Sequence, residues 1–239
     1  MEAMILAAGL GTRLRPLTND RPKALVEVNG ITLLEYNLKR LIGFGFNKIV
    51  INIHHFPDMV IDFVRQRTFG ADIRFSDERE QLMDTGGALK KAAPLFSGLE
   101  PILIHNVDIL STLDLGAVYH NHVGSGASAT LLVSRRNTSR QLLFDGKNQL
   151  VGWKNQTTGE TLWSGKAIED VDALAFSGIH IVNPELLGAL PEARPYPIIP
   201  EYLKLAKQHK ILAYKHLSDK WLDVGKPETL KKAENFLKH

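Results

Sequence analysis

Residues 5–25 of the chain read ILAAGLGTRLRPLTNDRPKAL. An apolar run gives way at once to a loop that carries two glycines, Gly9 and Gly11, followed by Arg13 and Lys23. Backbone N–H groups that glycine leaves accessible, together with a guanidinium and an ammonium group, are suited to hold a chain of phosphate groups. The stretch therefore predicts a loop that binds a nucleoside triphosphate at the mouth of an α/β sheet.

The composition limits the functional class. The chain has 239 residues, enough for one large α/β domain, and its hydrophobic share of 44% is that of an ordinary globular protein. It has no cysteine, so disulfides, thiolate nucleophiles and cysteine-based metal sites are excluded. The net charge is +3, but the basic residues do not alternate with aromatic residues, so we expect small anionic substrates and no nucleic acid.

The sequence shows no targeting signal. Residues 1–4 lead into an apolar strand without the basic segment and cleavage site of a signal peptide. No apolar run approaches the roughly 20 residues that a membrane span requires. We therefore expect a cytoplasmic protein that does not bind membranes.

The first half of the sequence alternates between short apolar runs and stretches of helical period. Strands are predicted at residues 4–8, 49–53, 71–75, 101–105 and 127–133, and helices at 33–42, 59–69 and 85–96. Strands that alternate with helices of about 10–15 residues indicate βαβ units, and these build a parallel sheet.

The second half has shorter apolar runs separated by turns. Strands are predicted at 142–144, 150–154, 162–163, 173–182 and 211–214, and helices around Leu186 and at 199–208 and 227–237. The short strands indicate an antiparallel insertion that carries a second substrate. The predicted fold class is α/β, with a Rossmann-like, mostly parallel central sheet flanked by helices and a small antiparallel insertion.

Two other kinds of phosphate-binding loop are disfavoured. Residues 9–14 superficially match the dinucleotide pattern G-x-G-x-x-G, but Leu14 occupies the position of the third glycine. Pro16 and Pro22 interrupt the helix that should follow, and residues 52–55 supply no acidic side chain for a ribose. The P-loop pattern G-x-x-x-x-G-K-[ST] does not occur in the sequence.

The loop in residues 6–25 instead resembles the signature of the sugar-1-phosphate nucleotidyltransferases, or NDP-sugar pyrophosphorylases. The resemblance extends over nearly the whole chain. The sequence is similar in particular to short members of this family, the N-acetylmuramate-1-phosphate uridylyltransferases and mannose-1-phosphate guanylyltransferases. It implies that Arg13 binds the β- and γ-phosphates of the nucleotide and that Lys23 contacts the α-phosphate.

A second block, residues 84–89 (DTGGAL), is similar to the family's TGGA-type helix start, where glycines bring backbone amides close to the base. Gln81 lies where many relatives place a side chain that binds the base. The nucleotide-binding residues implied by the resemblance are Leu6, Ala7, Ala8, Gly9, Gly11, Thr12, Arg13, Lys23, Gln81, Gly86 and Gly87.

Two further blocks carry acidic residues. Asp108 ends a segment similar to the family's Asn-Gly-Asp, and Asp223 lies in WLDVGKP, similar to its W-x-D-x-G-x-P. The resemblance implies that both carboxylates hold Mg²⁺, which prefers oxygen ligands and keeps phosphate and water around it. Val107 replaces the family's glycine, and its side chain either crowds the ligand or points into the core. The implied catalytic residues are Arg13, Lys23, Asp108 and Asp223.

The sugar side of the resemblance is weaker. Residues 176–179 (FSGI) resemble the family's F-x-G-I strand, and Lys154 lies where relatives have a Glu-Lys pair, although Trp153 precedes it here. The sugar-binding residues implied are Asn106, Lys154 and Gly178. Arg135, Arg136 and Arg140 are interpreted as a solvated loop, with attraction of an anionic sugar phosphate as the alternative.

The implied reaction joins a nucleoside triphosphate to a sugar 1-phosphate and gives an NDP-sugar and pyrophosphate, with Mg²⁺ as cofactor. We expect one nucleotidyltransferase domain over residues 1–239, with a mainly nucleotide-binding half at 1–135 and a mainly sugar-binding half with the closing helix at 136–239. The alternatives are an enzyme like choline-phosphate cytidylyltransferase, whose acceptor would need an aromatic and acidic pocket, and a non-catalytic nucleotide-binding regulator. The base, the sugar and the oligomeric state stay open.

Overall fold

The computed structural model describes residues 1–216 and 221–237. The strands are β1 (Glu2–Leu6), β2 (Glu27–Val28), β3 (Ile31–Thr32), β4 (Lys48–Ile53), β5 (Asp72–Asp77), β6 (Ile102–Asn106), β7 (Ile109–Ser111), β8 (Ala129–Ser134), β9 (Arg140–Phe144), β10 (Leu150–Asn155), β11 (Thr161–Trp163), β12 (Asp172–Val182), β13 (Ile211–Lys215) and β14 (Trp221–Asp223). The α-helices are α1 (Leu33–Gly43), α2 (Pro57–Arg65), α3 (Asp84–Ala92), α4 (Leu115–Ser125), α5 (Pro184–Gly188), α6 (Ile198–Leu205) and α7 (Pro227–Phe236). None of the helices in this described part has the length and apolar character needed to cross a membrane.

A ten-stranded sheet runs through the described part of the chain. Its central strands follow the order β6-β1-β4-β5 and are parallel, so their carboxyl ends lie at one edge. β12 pairs antiparallel with β6 and continues the sheet into β9, β10 and β11, which are also antiparallel. β8 pairs with β12, and β13 lies parallel to β8. The predicted α/β fold with an antiparallel insertion is confirmed.

Strand β1 is buried on both faces of the sheet. Ala3 and Ile5 belong to an apolar cluster that includes α1, α2 and α4. Met4 belongs to a second cluster that includes α3, α5 and α6. Successive side chains of a strand point to opposite faces, so helices cover the sheet on both sides, as in other α/β folds. The carboxyl edge of the parallel strands is the place that this arrangement leaves for a ligand.

Some elements do not follow from the sequence pattern. Helix α4 has no clear apolar stripe, because Gly116, His120 and Gly124 interrupt it. Its first turn is stabilised by Asp114, whose carboxylate accepts the N–H of Ala117 at 2.8 Å. β7 and β14 have three residues each, too few for a recognisable alternation, and each forms by pairing with the other.

Strand β12 contains a bulge at Gly178. The register between β12 and β8 shifts between Phe176 and His180. Gly178 has a φ of 70°, in the left-handed region that disfavours a Cβ. A Cβ there would lie 2.8 Å from Nδ2 of Asn106 and 3.1 Å from Cγ1 of Ile109. The bulge therefore brings the β12 backbone directly against the carboxyl end of β6.

We expect Gly178→Ala to lower the free energy of unfolding by about 2 kcal/mol or more, because it adds backbone strain of about 1–2 kcal/mol and a steric overlap with Asn106. Gly159→Ala is the matched control, since Gly159 has a φ of 75° but no atom within 4 Å of its Cβ position. Urea unfolding of both variants gives the difference. Equal destabilisation of the two would contradict the close approach of β12 to Asn106.

Candidate active site

The loop after β1 is held by a buried side chain of β4. Oδ1 of Asn52 accepts the N–H groups of Ala7, at 2.7 Å, and Ala8, at 3.4 Å. These bonds divert the chain from the sheet, so β1 ends at Leu6 instead of continuing to residue 8 as predicted. Leu6, Ala8 and Gly9 then line a cavity of about 310 Å³ at the carboxyl edge of the sheet.

Asn52 is held in turn by a buried glutamate. Its Nδ2 donates to Oε1 of Glu78 at 2.8 Å, and Oε2 of Glu78 accepts the N–H of Met83 at 3.0 Å. Burial raises the pKa of Glu78, and the bonds from Met83 and Asn52 oppose that shift because they favour the carboxylate. The pair ties the loop after β1 to the loop before α3. Nothing in the sequence pattern identifies either residue as part of the site.

The two acidic residues of the site are brought together by the pairing of β7 and β14. Asp108 lies just before β7, and Asp223 is the last residue of β14. The strands are antiparallel, with Asp223 opposite Ile109. The N–H of Val224 donates to the carbonyl oxygen of Asp108 at 2.8 Å, which extends the ladder by one bond. The pairing therefore places the two carboxylates close together, and their binding of a metal ion stays a prediction.

Both carboxylates and both predicted cations converge near Gly225. A Cβ on Gly225 would lie 2.8 Å from Oδ1 of Asp223, 3.0 Å from Nη2 of Arg13 and 3.3 Å from Oδ2 of Asp108. Nζ of Lys23 lies 2.7 Å from the same Oδ2 of Asp108. Gly225 also donates its N–H to Oδ1 of Asp223 at 2.7 Å. Gly225 is therefore a residue of this site. It belongs to the WLDVGKP motif, but it is not among the site residues predicted from the sequence.

Val107 points into the core. Its side chain is fully buried in the apolar cluster on the α1 side of the sheet. Its N–H donates to Leu6 at 3.1 Å, and its carbonyl accepts from Nδ2 of Asn37 at 2.9 Å. The replacement of the family's glycine therefore leaves the position of Asp108 free of a crowding side chain.

Two cavities meet at the loop after β1, here called the nucleotide loop (residues 7–25). The first, of about 310 Å³, is lined by Leu6, Ala8, Gly9, Lys23, Asn52, Leu82, Asp84, Thr85, Asn106 and Asp108. The second, of about 330 Å³, is lined by Gly9, Leu10, Gly11, Thr12, Arg13, Lys23, Leu82 and Gly225. They share Gly9, Lys23 and Leu82, so together they form a groove from the sheet edge to the convergence at Gly225. The groove has room for an extended phosphorylated ligand.

Gly86 and Gly87 have a packing role in the structure. Both are buried, and both donate their N–H groups to the carbonyl of Tyr196, at 2.9 and 3.3 Å. A Cβ on Gly86 would collide with the Tyr196 ring, and one on Gly87 with the carbonyl of Arg194. Thr85, at the start of α3, lines the first cavity instead. Contact of the two glycines with a base stays a prediction.

The other sequence-predicted residues differ in how close they lie to the groove. Gln81 is exposed and is not among the residues that line the two cavities. Asn106 lines the first cavity, and Gly178 packs against it. Lys154 lies half-buried on β10 and lines neither cavity, so its contact with a sugar stays a prediction. Ala7 is buried behind the loop and acts through its bond to Asn52.

A third cavity, of about 430 Å³, lies between the antiparallel strands and α6. Its walls are mainly apolar, with polar groups from β9 and from the segments before β9 and β11. The lining residues are Thr138, Arg140, Gln141, Leu142, Trp153, Glu160, Leu162, Phe176, Pro197, Ile199, Pro200 and Leu203. It shares no residue with the other two cavities, so it is a separate space on the insertion side.

The acidic pair fits a hard divalent cation. Carboxylate oxygens of Asp108 and Asp223 approach one point at the mouth of the groove, and oxygen ligands are what Mg²⁺ prefers. Among the described residues, no group of three or more His, Asp or Glu side chains converges on a common point. An ion held by this pair would therefore take its remaining ligands from phosphate oxygens and water, as Mg²⁺ commonly does.

Comparison with known proteins assigns the family. Residues 2–144 match the family model described as nucleotidyl transferase. The N-acetylmuramate alpha-1-phosphate uridylyltransferase of Caulobacter vibrioides is 33% identical over 97% of this chain and 95% of its own length. The mannose-1-phosphate guanyltransferase of Pichia angusta is 28% identical over 95% of this chain, which spans 62% of that relative. The crystal structure of HddC from Yersinia pseudotuberculosis has the same fold, with a TM-score of 0.76 at 20% identity and 99% coverage of both chains.

The resemblance inferred from the loop at residues 5–25 is thus confirmed along the chain. The matched segment contains the loop and Asp108, and the full-length relative extends the likeness through the segment that carries Asp223. These findings show that the chain belongs to the nucleotidyl transferase family, among the enzymes that join a nucleoside triphosphate to a sugar 1-phosphate.

Proposed function

We propose that the chain transfers the uridylyl group of UTP to N-acetylmuramate 1-phosphate, with release of pyrophosphate and with Mg²⁺ as the cofactor. The observation that carries the reaction type is the convergence of Arg13, Lys23, Asp108 and Asp223 on one point of the groove. The choice of base and sugar rests on the Caulobacter relative, because its length and that of this chain are matched almost completely.

The four side chains divide into two functions. Arg13 and Lys23 lie on the nucleotide loop, so they are placed to neutralise triphosphate oxygens and the departing pyrophosphate. In the structure Lys23 is paired with Asp108, and we propose that it exchanges this partner for the α-phosphate when the nucleotide binds. The acceptor is already an anionic nucleophile, so positioning and charge neutralisation suffice and no general base is required.

Asp108 and Asp223 are the residues that would hold Mg²⁺. The bound ion would neutralise phosphate charge near the reacting phosphorus. The protein's contribution is to keep both carboxylates in place: the β7–β14 ladder fixes their backbones, and the N–H of Gly225 fixes one oxygen of Asp223. Without that ladder, two like charges held at this spacing would move apart.

The division of labour along the chain is part of the same proposal. Residues 1–135 supply the nucleotide loop and Asp108, and residues 136–239, of which 217–220 and 238–239 lie outside the described residues, supply the insertion and Asp223. A cytoplasmic location stays a prediction. A choline-phosphate acceptor and a non-catalytic regulator are retained as outcomes of the first test below.

The substrate prediction is tested with purified protein, five nucleoside triphosphates and four acceptors. We expect pyrophosphate release to be fastest with UTP and N-acetylmuramate 1-phosphate, ahead of mannose 1-phosphate, glucose 1-phosphate and phosphocholine, and to stop in EDTA and return with Mg²⁺. If release were fastest with CTP and phosphocholine, the proposed function would be wrong and the protein would be an enzyme like choline-phosphate cytidylyltransferase. Binding of triphosphate without turnover of any acceptor would favour the regulator.

Removal of either carboxylate tests the metal assignment. We expect Asp108→Asn and Asp223→Asn each to reduce kcat by at least about 10²-fold, because each loses a charge that helps to neutralise the transition state. Far-ultraviolet circular dichroism should be unchanged. Asp62→Asn, on the exposed face of α2, is the matched control and should retain full activity. Near-normal turnover in both site variants would refute the assignment.

Removal of the loop guanidinium tests the nucleotide side. We expect Arg13→Ala to reduce kcat by about 10²-fold, the scale seen when a donor that stabilises transition-state charge is lost. Arg15→Ala is the control, because Arg15 is exposed and absent from the lining of the groove. The measurement is steady-state pyrophosphate release with both substrates varied. A change confined to the KM of the sugar phosphate would assign Arg13 to the acceptor instead.

A further inference from the structure

Two neighbouring arginines after β8 have different surroundings. The side chain of Arg135 is 80% exposed and forms an ion pair with Asp172 at 3.0 Å. Arg136 is half-buried, and its guanidinium carbon lies 4.1 Å from the ring centroid of Trp221. The sequence pattern assigns both to a solvated loop. Only Arg135 lies in such a position in the structure.

Arg136 is fixed between two strands that border the site. Its Nη2 donates to the carbonyl of Phe176 on β12, and its guanidinium stacks on Trp221 of β14. Trp221 is itself held in place, because its Nε1 donates to the carbonyl of Ser177 at 2.7 Å. The position of the Arg136 guanidinium is therefore set before any ligand binds.

Most donors of this guanidinium have no protein acceptor among the residues that the structure describes. An arginine has five N–H donors, and among the described residues Arg136 uses one, the bond to Phe176. Its Nε is buried and has no hydrogen-bond partner in the described part of the chain. Burial lowers the pKa of Arg136, while the attraction of Asp223 acts in the opposite direction. The Nη donors that Phe176 does not use can bond to an anionic ligand, and hydrogen bonds between a charged donor and a charged acceptor are among the strong ones.

The neighbours of Arg136 place it on the acceptor side of the site. Trp221 lies two residues before Asp223, and Phe176 lies two residues before Gly178, which packs against Asn106. The nucleotide loop contributes its own cations, Arg13 and Lys23, and lines the groove from the β1 side. Arg136 follows β8 and lies near Asp223, so it is placed to bind a phosphate group other than those of the nucleotide.

We propose that Arg136 binds the phosphate group of the sugar 1-phosphate acceptor and holds it beside the carboxylate of Asp223. This inference rests on the proposed function, because it requires a phosphorylated acceptor. The phosphate would accept hydrogen bonds from the Nη donors that Phe176 does not use, while the contact with the Trp221 ring limits the movement of the guanidinium. The added cation also offsets the repulsion between the acceptor phosphate and Asp223.

The experiment compares Arg136→Gln, which removes the charge, with Arg136→Lys, which keeps it, and with Arg135→Gln as the matched control. Initial rates are measured with UTP and N-acetylmuramate 1-phosphate varied separately. We expect Arg136→Gln to raise the KM of the sugar phosphate about 10-fold or more and to leave the KM of UTP within about twofold, as for loss of a charged hydrogen bond. Arg136→Lys should recover part of the loss, and Arg135→Gln should behave as the unmodified protein.

A second readout separates binding of the phosphate from support of β14. N-acetylmuramate without its phosphate is tested as a competitive inhibitor, and its inhibition constant should be the same in the unmodified protein and in Arg136→Gln. If Arg136 acts only by holding Trp221 and Asp223, kcat and the Mg²⁺ requirement change while the KM of the sugar phosphate does not, and the proposal is overturned. Failure of the unmodified protein to use any sugar 1-phosphate would instead refute the proposed function.

If Arg136→Gln does not fold, as judged by its melting temperature, the comparison rests on Arg136→Lys. An ammonium cannot reproduce the fork geometry of a guanidinium, so the lysine variant should bind the acceptor phosphate more weakly than the unmodified protein. A raised KM for the sugar phosphate alone would support the proposal. A folded lysine variant in which the KM values of the sugar phosphate and of UTP are both unchanged would contradict it.

Discussion

The antiparallel pairing of β7 with β14 is the interaction on which the rest of the site depends. It joins a segment in the middle of the chain to one near its end, and it places Asp223 opposite Ile109, next to Asp108. Two carboxylates repel each other, so their proximity has to be maintained by backbone hydrogen bonds and by the cations around them. The three-residue ladder supplies the first, and the ion pair of Lys23 with Asp108 supplies the second.

The nucleotide side depends on a buried polar contact. Asn52 replaces a missing strand partner for the N–H groups of Ala7 and Ala8, and Glu78 fixes the orientation of Asn52. A buried amide or carboxylate left without partners is destabilising. Replacement of either Asn52 or Glu78 would therefore leave the other with an unsatisfied buried group. The contacts that end β1 also position the residues that line the groove. A substitution at Asn52 or Glu78 would therefore affect both the stability of the sheet edge and the shape of the site.

Positively charged side chains lie around the groove, where they can attract anionic ligands. In the structure Lys23 forms an ion pair with Asp108, and Nη2 of Arg13 lies beside Gly225. Arg136 extends the positive charge to the insertion side, where it lies over the Trp221 ring and its Nε has no partner among the described residues. Under the proposed function, phosphate groups and a divalent ion would replace the ion pair between Lys23 and Asp108.

The sequence alone determined the fold class and the loop at residues 5–25, because the alternation of strands and helices and the glycine-bearing loop are local patterns. Asp108 and Asp223 are predicted from the resemblance to a family, and their roles stay predictions. The sequence did not identify α4, whose apolar pattern is interrupted, or Asn52, Glu78 and Gly225, whose roles arise from contacts with distant segments. Nor did it indicate that the amides of Gly86 and Gly87 donate to Tyr196, which lies more than 100 residues further along the chain. Only the tertiary structure decided which of two adjacent arginines is solvated and which is stacked, because that depends on where β12 and β14 pass, and no local pattern encodes the meeting of strands so far apart in the chain.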